Sequence, residues 1–204
     1  MKIAVFGATG MVGSQIAAEA VRRGHDVTAV SRSGNPVADA PSATPVAADL
    51  ANGASVADIA KAHDVVVLSA GPSRTGGDHQ QWLAEFSNAL ANVGEARVFI
   101  VGGAGALLVD GQRLVDLPGF PDAYKPEALT MAAAYENVLT LPATVNWTMQ
   151  APAPEIAPGE RTGQYKVADN TPAGDKISTQ DFAVAALDEL ETPHHVRARY
   201  AVAN

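Results

Sequence analysis

The stretch Val5-Phe6-Gly7-Ala8-Thr9-Gly10-Met11-Val12-Gly13 decides the fold of this 204-residue chain. Residues 3–6 are an apolar run that predicts a buried strand, and the apolar spacing after the stretch predicts one face of a helix. Between them, Gly7 lets the chain turn sharply, Gly10 lets the backbone approach a pyrophosphate, and Gly13 lets the helix pack closely on the sheet. A strand, a glycine turn and a helix in this order predict a dinucleotide site with its phosphates at the helix N-terminus. The alternative is a tight turn without a ligand.

The composition limits the class of protein. The length fits one domain with a sizeable core, so we expect residues 1–204 to form a single nucleotide-binding domain. Cysteine is absent, which excludes disulfides and thiolate metal sites, and the histidines have no metal-binding spacing. The net charge of −8 argues against nucleic acid as the main partner. We see no signal peptide and no membrane-spanning run, which favours a cytoplasmic protein that does not enter a membrane.

Alternating apolar runs and helical patterns predict a mainly parallel, doubly wound α/β sheet of the Rossmann type. The predicted strands are residues 3–6, 27–30, 46–48, 65–68, 97–101 and 144–149. The predicted helices are residues 12–23, 55–62, 79–93, 127–139 and 179–191, with Asp78 and Ser178 as N-caps of the third and fifth. The stripe of Trp82, Phe86 and Leu90 on the third helix is typical of a core or a dimer surface.

The residues after the second predicted strand bear on the choice of cofactor. An NAD-specific site has an Asp or Glu there, which binds the ribose 2′-hydroxyl. This chain has Ser31-Arg32-Ser33 instead. An arginine offers a planar, permanently charged fork to a 2′-phosphate, and serines add hydrogen bonds. The sequence therefore favours NADP(H) over NAD(H), with a solvated surface arginine as the alternative.

Small or polar residues also follow the third and fourth strands. Asp49 either accepts a hydrogen bond from the adenine amino group or is an ordinary loop aspartate, and the sequence leaves both readings open. Ser69-Ala70-Gly71 leaves room for a ligand in the crevice at the carboxyl ends of the strands. Of the histidines, His79 is the one that could lie near this crevice, although a role without ligand contact is favoured.

The second half of the chain predicts a small, loop-rich substrate lobe. The connection 103–125 is long for a compact domain and rich in apolar residues, which is typical of a functional loop. Three prolines and two glycines argue against regular structure in residues 150–163. Residues 164–167 predict a short edge strand, and the alternation in residues 196–202 predicts a last edge strand. We assign 103–125 and 151–175 to the substrate side.

These motifs, in this order, resemble the atypical short-chain dehydrogenase/reductase superfamily. The chain is most similar to its small NAD(P)H-binding branch, which includes NmrA-like and flavin- or biliverdin-reductase-like proteins. Further stretches that resemble this branch are Gly102-Gly103-Ala104-Gly105, the run 117–121, the run 157–163 and Ile177-Ser178. The similarity covers nearly the whole chain.

The resemblance implies roles for individual residues. Those that would hold the pyrophosphate are Gly7, Thr9, Gly10, Met11 and Val12. Those that would hold the 2′-phosphate are Ser31, Arg32 and Ser33. Those that would flank the adenine are Asp49 and Leu50, and those on the ribose side are Ser69, Ala70 and Gly71. Gly102 and Gly103, after the fifth strand, would also bind the cofactor, and Ala151 and Pro152 would face the nicotinamide amide.

One part of the family pattern is missing. Typical members reduce carbonyls with Tyr-x-x-x-Lys and a serine, because the i, i+4 spacing places an ammonium beside the phenol. This chain has no Tyr-x-x-x-Lys, and the serine position reads Gly102-Gly103. Tyr124-Lys125 stands where the motif tyrosine would fall, which makes Tyr124 a candidate acid and Lys125 its neighbour. The side chains of adjacent residues point in different directions. Lys125 therefore need not place its ammonium beside the Tyr124 phenol as the motif lysine does.

Two functions fit this combination. The first is an NADPH-dependent reductase of a flavin, a quinone or a similar conjugated acceptor, whose proton comes from water. A flavin is then a possible substrate, and the partners are a small-molecule acceptor and at most a second copy, so the protein is a monomer or homodimer. The second is a non-catalytic NADP(H)-binding redox sensor of the NmrA-like type. A sugar-nucleotide epimerase or dehydratase ranks lowest because it needs a strong acid–base pair.

Overall fold

The computed structural model of the protein describes residues 1–204 and contains an eight-stranded sheet covered by helices on both faces. The strands are β1 (Lys2–Phe6), β2 (Asp26–Ser31), β3 (Thr44–Ala47), β4 (Val65–Leu68), β5 (Arg97–Val101), β6 (Leu108–Val109), β7 (Gln112–Arg113), β8 (Trp147–Pro152), β9 (Glu155–Ala157), β10 (Lys166–Ala168), β11 (Lys176–Ser178) and β12 (Ala198–Ala203). The helices are α1 (Gly13–Arg22), α2 (Gly53–Lys61), α3 (His79–Asn92), α4 (Lys125–Leu139) and α5 (Thr179–Glu191). None of these helices is long and apolar enough to cross a membrane.

The strand order reverses between β1 and β4. The order in the sheet is β10-β12-β8-β5-β4-β1-β2-β3, and every pair is parallel except β10 with β12. The chain runs from β1 outward to β3 on one side and from β4 outward on the other. In open α/β sheets, ligands bind outside the carboxyl ends of the strands at such a switch point. The register pairs Phe6 with Leu68, so the turns after β1 and β4 leave the sheet side by side. The predicted Rossmann-type fold is confirmed.

Two apolar clusters fill the space between the sheet and its helices. The cluster on one face includes Ile3 and Val5 of β1 together with buried residues of α1 and α5. The cluster on the other face includes Phe6 and residues of α2, α3 and α4. Phe86 and Leu90 are buried in this second cluster and Trp82 packs against it, so the aromatic stripe of α3 belongs to the core. Asp78 and Ser178 cap α3 and α5 as predicted.

The proline-rich region contains more regular structure than the sequence predicts. The sixth strand begins at Trp147 rather than residue 144 and continues to Pro152, and β9 lies within the stretch predicted to be irregular. Proline has a fixed φ and no backbone N–H, and it fits a strand where that donor is not needed. Likewise Pro45 lies in β3, which is an edge strand and begins two residues before the predicted one.

The last strand is not an edge strand, and that prediction was wrong. β12 lies between β8 and β10, and the antiparallel β10 forms the edge instead. The alternation misled because the polar side chains of β12 are buried and form hydrogen bonds inside the protein. Arg199 is 6 % exposed and donates to the Ala106 carbonyl, and the Tyr200 hydroxyl donates to Gln150. Burial of polar groups is tolerated when they are hydrogen-bonded.

The segment 157–163 is fastened to helices by buried carboxylates. Glu19 on α1 has a side chain only 2 % exposed and accepts hydrogen bonds from Arg23 at 2.8 Å and from two nitrogens of Arg161 at 2.8 Å. Asp181 on α5 accepts from the hydroxyl and amide of Thr162. Burial by itself would raise the pKa of Glu19, but the arginine hydrogen bonds outweigh it and lower the pKa to about 2.

This low pKa predicts acid sensitivity of the fold. The carboxylate of Glu19 stabilises the native state fully above its ordinary pKa of 4.5, and that contribution is lost as the pH falls towards about 2. We expect Glu19→Gln to lower the free energy of unfolding at neutral pH by on the order of 2–3 kcal/mol and to flatten its decline between about pH 5 and 3. Urea unfolding across this range tests it. Glu136→Gln is the control, because its ion pair with Arg113 is exposed. Parallel pH profiles for wild type and Glu19→Gln would contradict the expectation.

Candidate dinucleotide-binding site

Two of the three glycines in the first turn are required by close packing. Gly7 has a φ of +79°, and a Cβ there would lie 2.8 Å from the carbonyl carbon and oxygen of Ser69. A Cβ on Gly13 would lie 2.2 Å from the Gly7 carbonyl oxygen. Neither position has room for a side chain. Gly10 differs, because it is exposed and its Cβ would meet only the Gly7 oxygen at 3.2 Å. The fold alone therefore does not require glycine at position 10, whereas a ligand lying against the turn would.

The N-terminus of α1 presents free backbone donors beside this turn. Val12 occupies the N-cap position and provides no side-chain cap. The amide groups of Met11, Val12 and Gly13 donate no hydrogen bond within the protein. Unpaired amides and the positive end of the helix dipole form a ready site for an anion. This arrangement is what the pyrophosphate of a dinucleotide needs.

The turn after β4 lies against the glycine turn. The Ser69 amide donates to the Phe6 carbonyl at 2.9 Å, and the Ser69 hydroxyl is buried without any hydrogen-bond partner. The indole nitrogen of Trp82 donates to the Ala70 carbonyl at 3.1 Å and fixes the backbone one residue further on. Gly71 is exposed, with nothing within 4 Å of an added Cβ. A partnerless buried hydroxyl beside free amides and open glycines is consistent with a bound ligand that has many polar groups.

The Ser31–Gly34 turn holds Arg32 at its exposed tip. The Gly34 amide donates to the Ser31 hydroxyl at 3.0 Å, so this buried serine stabilises its own turn. Ser33 is exposed and its hydroxyl lies 3.5 Å from that of Ser31. Arg32 forms no hydrogen bond or ion pair within the protein, so its guanidinium is available to an anion.

The turn after β3 gives the Asp49 carboxylate a local role. Asp49 Oδ1 accepts from the Ala51 amide at 3.0 Å, as a loop aspartate does, and its side chain is exposed. Leu50 is 8 % exposed and belongs to the core cluster on the side of α2 and α3. The predicted contacts of both residues with adenine stay predictions.

Gly102 and Gly103 leave β5 in close contact with methionine side chains. A Cβ on Gly102 would lie 2.9 Å from Met149 Cγ, and one on Gly103 would lie 3.2 Å from Met131 Cβ. The α4 face above this turn thus carries Met131, with Glu127 four residues earlier. Tyr135 lies four residues after Met131 and is followed four residues later by Leu139, so this face carries no Tyr-x-x-x-Lys pair.

Tyr124 and Lys125 lie at the very start of α4. Tyr124 is the N-cap residue and is 57 % exposed, and its hydroxyl forms no hydrogen bond within the protein. Lys125 is the first residue of the helix, two residues before the predicted start, and is also exposed. The structure provides no partner that would activate either group, and their catalytic role stays a prediction.

Ala151 and Pro152 are the last residues of β8 and are buried. Ala151 packs against Leu107 and Ala201, beneath the segment 103–125. Its side chain therefore contributes to packing, and the predicted contact with the nicotinamide amide is untested.

Arg199 joins the two substrate-side segments, 103–125 and 151–175. The sequence analysis did not predict this role. Its guanidinium donates to the Ala106 carbonyl at 2.9 Å and, through Nε, to the Asn170 side chain at 3.0 Å. It also lies 3.9 Å from the centre of the Tyr135 ring and has no carboxylate partner. The signal in the sequence was an arginine inside an otherwise apolar last strand. Arg161, which binds Glu19 142 positions earlier, had no such signal.

The fold and the turn together define a nucleotide-binding protein of the Rossmann class. Residues 7–193 match the model of a family described as NAD(P)H-binding. The chain belongs to this family of NAD(P)H-binding proteins.

Several relatives match the chain over nearly its whole length. The chain is 36 % identical to the uncharacterised protein YwnB of Bacillus subtilis, with 99 % of this chain and 98 % of YwnB covered. It is similar to a crystal structure of a "putative exported protein" from Burkholderia pseudomallei, at 40 % identity, a TM-score of 0.87 and full coverage of both chains. It is also similar to a "putative NADH-flavin reductase" from Streptococcus pneumoniae, at 33 % identity, a TM-score of 0.86 and coverage of 100 % and 99 %. Because one relative is described as exported, the cytoplasmic location stays a prediction.

The contrast between Gly10 and Gly13 gives a matched pair of substitutions. Gly13→Ala should destabilise the fold by about 1–3 kcal/mol, because its methyl group would overlap the Gly7 oxygen. Gly10→Ala should change thermal stability little but weaken NADPH binding about tenfold or more, because the methyl group would occupy the space of the pyrophosphate. Thermal unfolding and a fluorescence titration with NADPH measure the two effects. Wild-type affinity in folded Gly10→Ala would rule out phosphate binding at this turn.

Proposed function

We propose that this protein is an NADPH-dependent oxidoreductase that reduces a flavin, a quinone or a similar conjugated acceptor by direct hydride transfer. The observation that carries the proposal is the open glycine turn before α1 in a chain of an NAD(P)H-binding family that has no Tyr-x-x-x-Lys pair on α4. The Streptococcus pneumoniae relative, described by a flavin-reductase name, supports the same class of acceptor.

The chemistry of such acceptors fits the groups present. When bound, the reduced nicotinamide supplies the hydride, and a conjugated acceptor takes it without a protein acid because the proton can come from water. The protein's work is then to bind and orient the two molecules and to limit side reactions. The α1 amides would hold the pyrophosphate, Arg32 the 2′-phosphate, and Ser69 with Gly71 the ribose side. The apolar segments 103–125 and 151–175, joined by Arg199, would form the acceptor pocket.

Cofactor choice is tested at Arg32. We expect Arg32→Ala to weaken NADPH binding by about tenfold or more, because a charge-assisted contact with the 2′-phosphate is lost. NADH binding should change by less than about twofold. Titration of wild type and variant with both cofactors measures this. Because the Arg32 guanidinium is exposed and has no partner in the protein, its removal should leave the fold intact. Equal losses for both cofactors, or no loss, would refute a 2′-phosphate role.

Acceptor reduction is tested by turnover. Purified protein with NADPH should reduce at least one of FMN, riboflavin and small quinones, and Gly10→Ala should lose this activity. Tyr124→Phe should keep it within about twofold, whereas removal of a general acid costs about 10²–10⁴-fold. Tight NADPH binding without turnover of any acceptor would overturn the proposal. It would favour the second candidate function, a non-catalytic redox sensor, which does not need a catalytic acid either.

A further inference from the structure

Glu127 brings a carboxylate to the edge of the sheet where β4 and β5 end. Helix α4 connects two parallel strands, β5 and β8, so it runs back from their carboxyl ends and its first turn lies at that edge. Glu127 belongs to this first turn. Its Oε2 atom accepts from Arg74 Nε at 2.8 Å, and Arg74 lies in the segment between β4 and α3. The carboxylate is therefore next to the segment after β4.

The same part of α4 packs on the turn after β5. Met131 Cβ lies 3.2 Å from the position that a Cβ on Gly103 would take, and Ala128 Cβ lies 2.8 Å from that of a Cβ on Gly105. Glu127 precedes Met131 by four positions, so the two side chains share a face and Glu127 is one turn closer to the carboxyl edge. The Glu127 carboxylate thus lies between the turn after β5 and the segment after β4.

This place is at the acceptor end of the proposed site. Arg32 and the turn after β2 lie at the other end, because β4 and β1 separate β5 from β2 in the sheet. A dinucleotide with its 2′-phosphate at Arg32 has its nicotinamide on the side of β4 and β5. An acceptor must contact the nicotinamide to receive a hydride, so it lies within reach of Glu127.

One oxygen of Glu127 has no partner in the protein. Arg74 binds Oε2, whereas Oε1 accepts no hydrogen bond and is open to solvent. The Glu127 side chain is 20 % exposed, so the carboxylate is held at the wall of the crevice and does not extend freely into water. An ionised carboxylate accepts hydrogen bonds and donates none. The free oxygen therefore suits a ligand that offers an N–H group.

The proposed acceptors differ in this respect. An oxidised isoalloxazine ring has a single N–H group, at N3 of its imide. A simple quinone has only acceptor oxygens, and these gain negative charge when the ring takes a hydride. A carboxylate beside them would oppose that charge, because a fixed negative group destabilises a developing anion.

We propose that Glu127 is a specificity-determining residue whose Oε1 atom accepts a hydrogen bond from an imide N–H of the acceptor. The residue thereby favours nitrogen heterocycles such as isoalloxazines over quinones. Arg74 neutralises part of the charge and holds the carboxylate, and it does not contact the acceptor. This inference rests on the proposed function and narrows its substrate class.

The first test compares lumiflavin with 3-methyllumiflavin, in which a methyl group replaces the only N–H. With NADPH, wild type should have a kcat/KM about tenfold or more higher for lumiflavin, which is the worth of a hydrogen bond to a charged group. Glu127→Ala should abolish this preference by lowering kcat/KM for lumiflavin, and not by raising it for the methylated ring. Arg74→Ala breaks the same ion pair but keeps the carboxylate, so it is the matched control and should keep the preference.

Three results of this comparison would overturn the proposal. They are equal kcat/KM values in wild type, a preference that survives in Glu127→Ala, and a preference that disappears in Arg74→Ala. Thermal unfolding shows whether the variants are folded. The comparison of the two rings in wild type stands even if Glu127→Ala fails to fold.

The second test measures binding without turnover. Quenching of lumiflavin fluorescence in the presence of NADP⁺ gives its Kd for wild type and Glu127→Ala, and we expect the variant to bind about tenfold or more weakly. Absence of lumiflavin binding to wild type would overturn the inference. Binding that depends on the N3 proton, without turnover of any acceptor, would contradict the proposed function and leave the inference standing. Turnover with equal kcat/KM for both rings would do the reverse.

Discussion

The packing of Gly13 against the Gly7 carbonyl oxygen is the constraint on which the rest of the site depends. A Cβ at 2.2 Å from that oxygen is impossible without a shift of the backbone, so α1 can begin directly on the turn only with glycine there. The same turn presses on the backbone of Ser69. Three chain segments therefore meet at the point where the strand order reverses, and the free amides of α1 lie at this point.

Features that depend on local sequence were predicted well. The strands with continuous apolar runs, the caps Asp78 and Ser178, and the glycine turn each follow from residues close together in the chain. The errors lie where distant pairing overrides local signals. Residues 150–152 extend β8 because they pair with β12, which lies about fifty positions later in the chain. The proline-rich sequence of this region gives no local sign of that pairing. Likewise Arg199 could not be placed inside the sheet without knowing that Ala106 and Asn170 accept its donors.

The candidate site also has one part that depends on local sequence and one part that depends on contacts between distant residues. The turn from Gly7 to Gly13 could be assigned to a dinucleotide from the sequence, because strand, turn and helix are contiguous. The other end of the crevice could not, because it is built from α4 and the end of β5, which are separated by the segment 103–125. In sequence, Tyr124 falls where a catalytic tyrosine would. In space, the α4 residue over Gly103 is Met131, and Tyr124 is left exposed at the helix start.

Charged side chains in this protein hold segments in place rather than provide an acid beside the β5 turn. Arg161 with Glu19 fastens the segment 157–163, and Arg199 joins 103–125 to 151–175. Arg74 and His79 fasten 69–78 to α4. A carbonyl reductase would need at least one such group free to give a proton to the substrate oxygen. The proposed reduction of a conjugated acceptor would require only that the two molecules be held face to face.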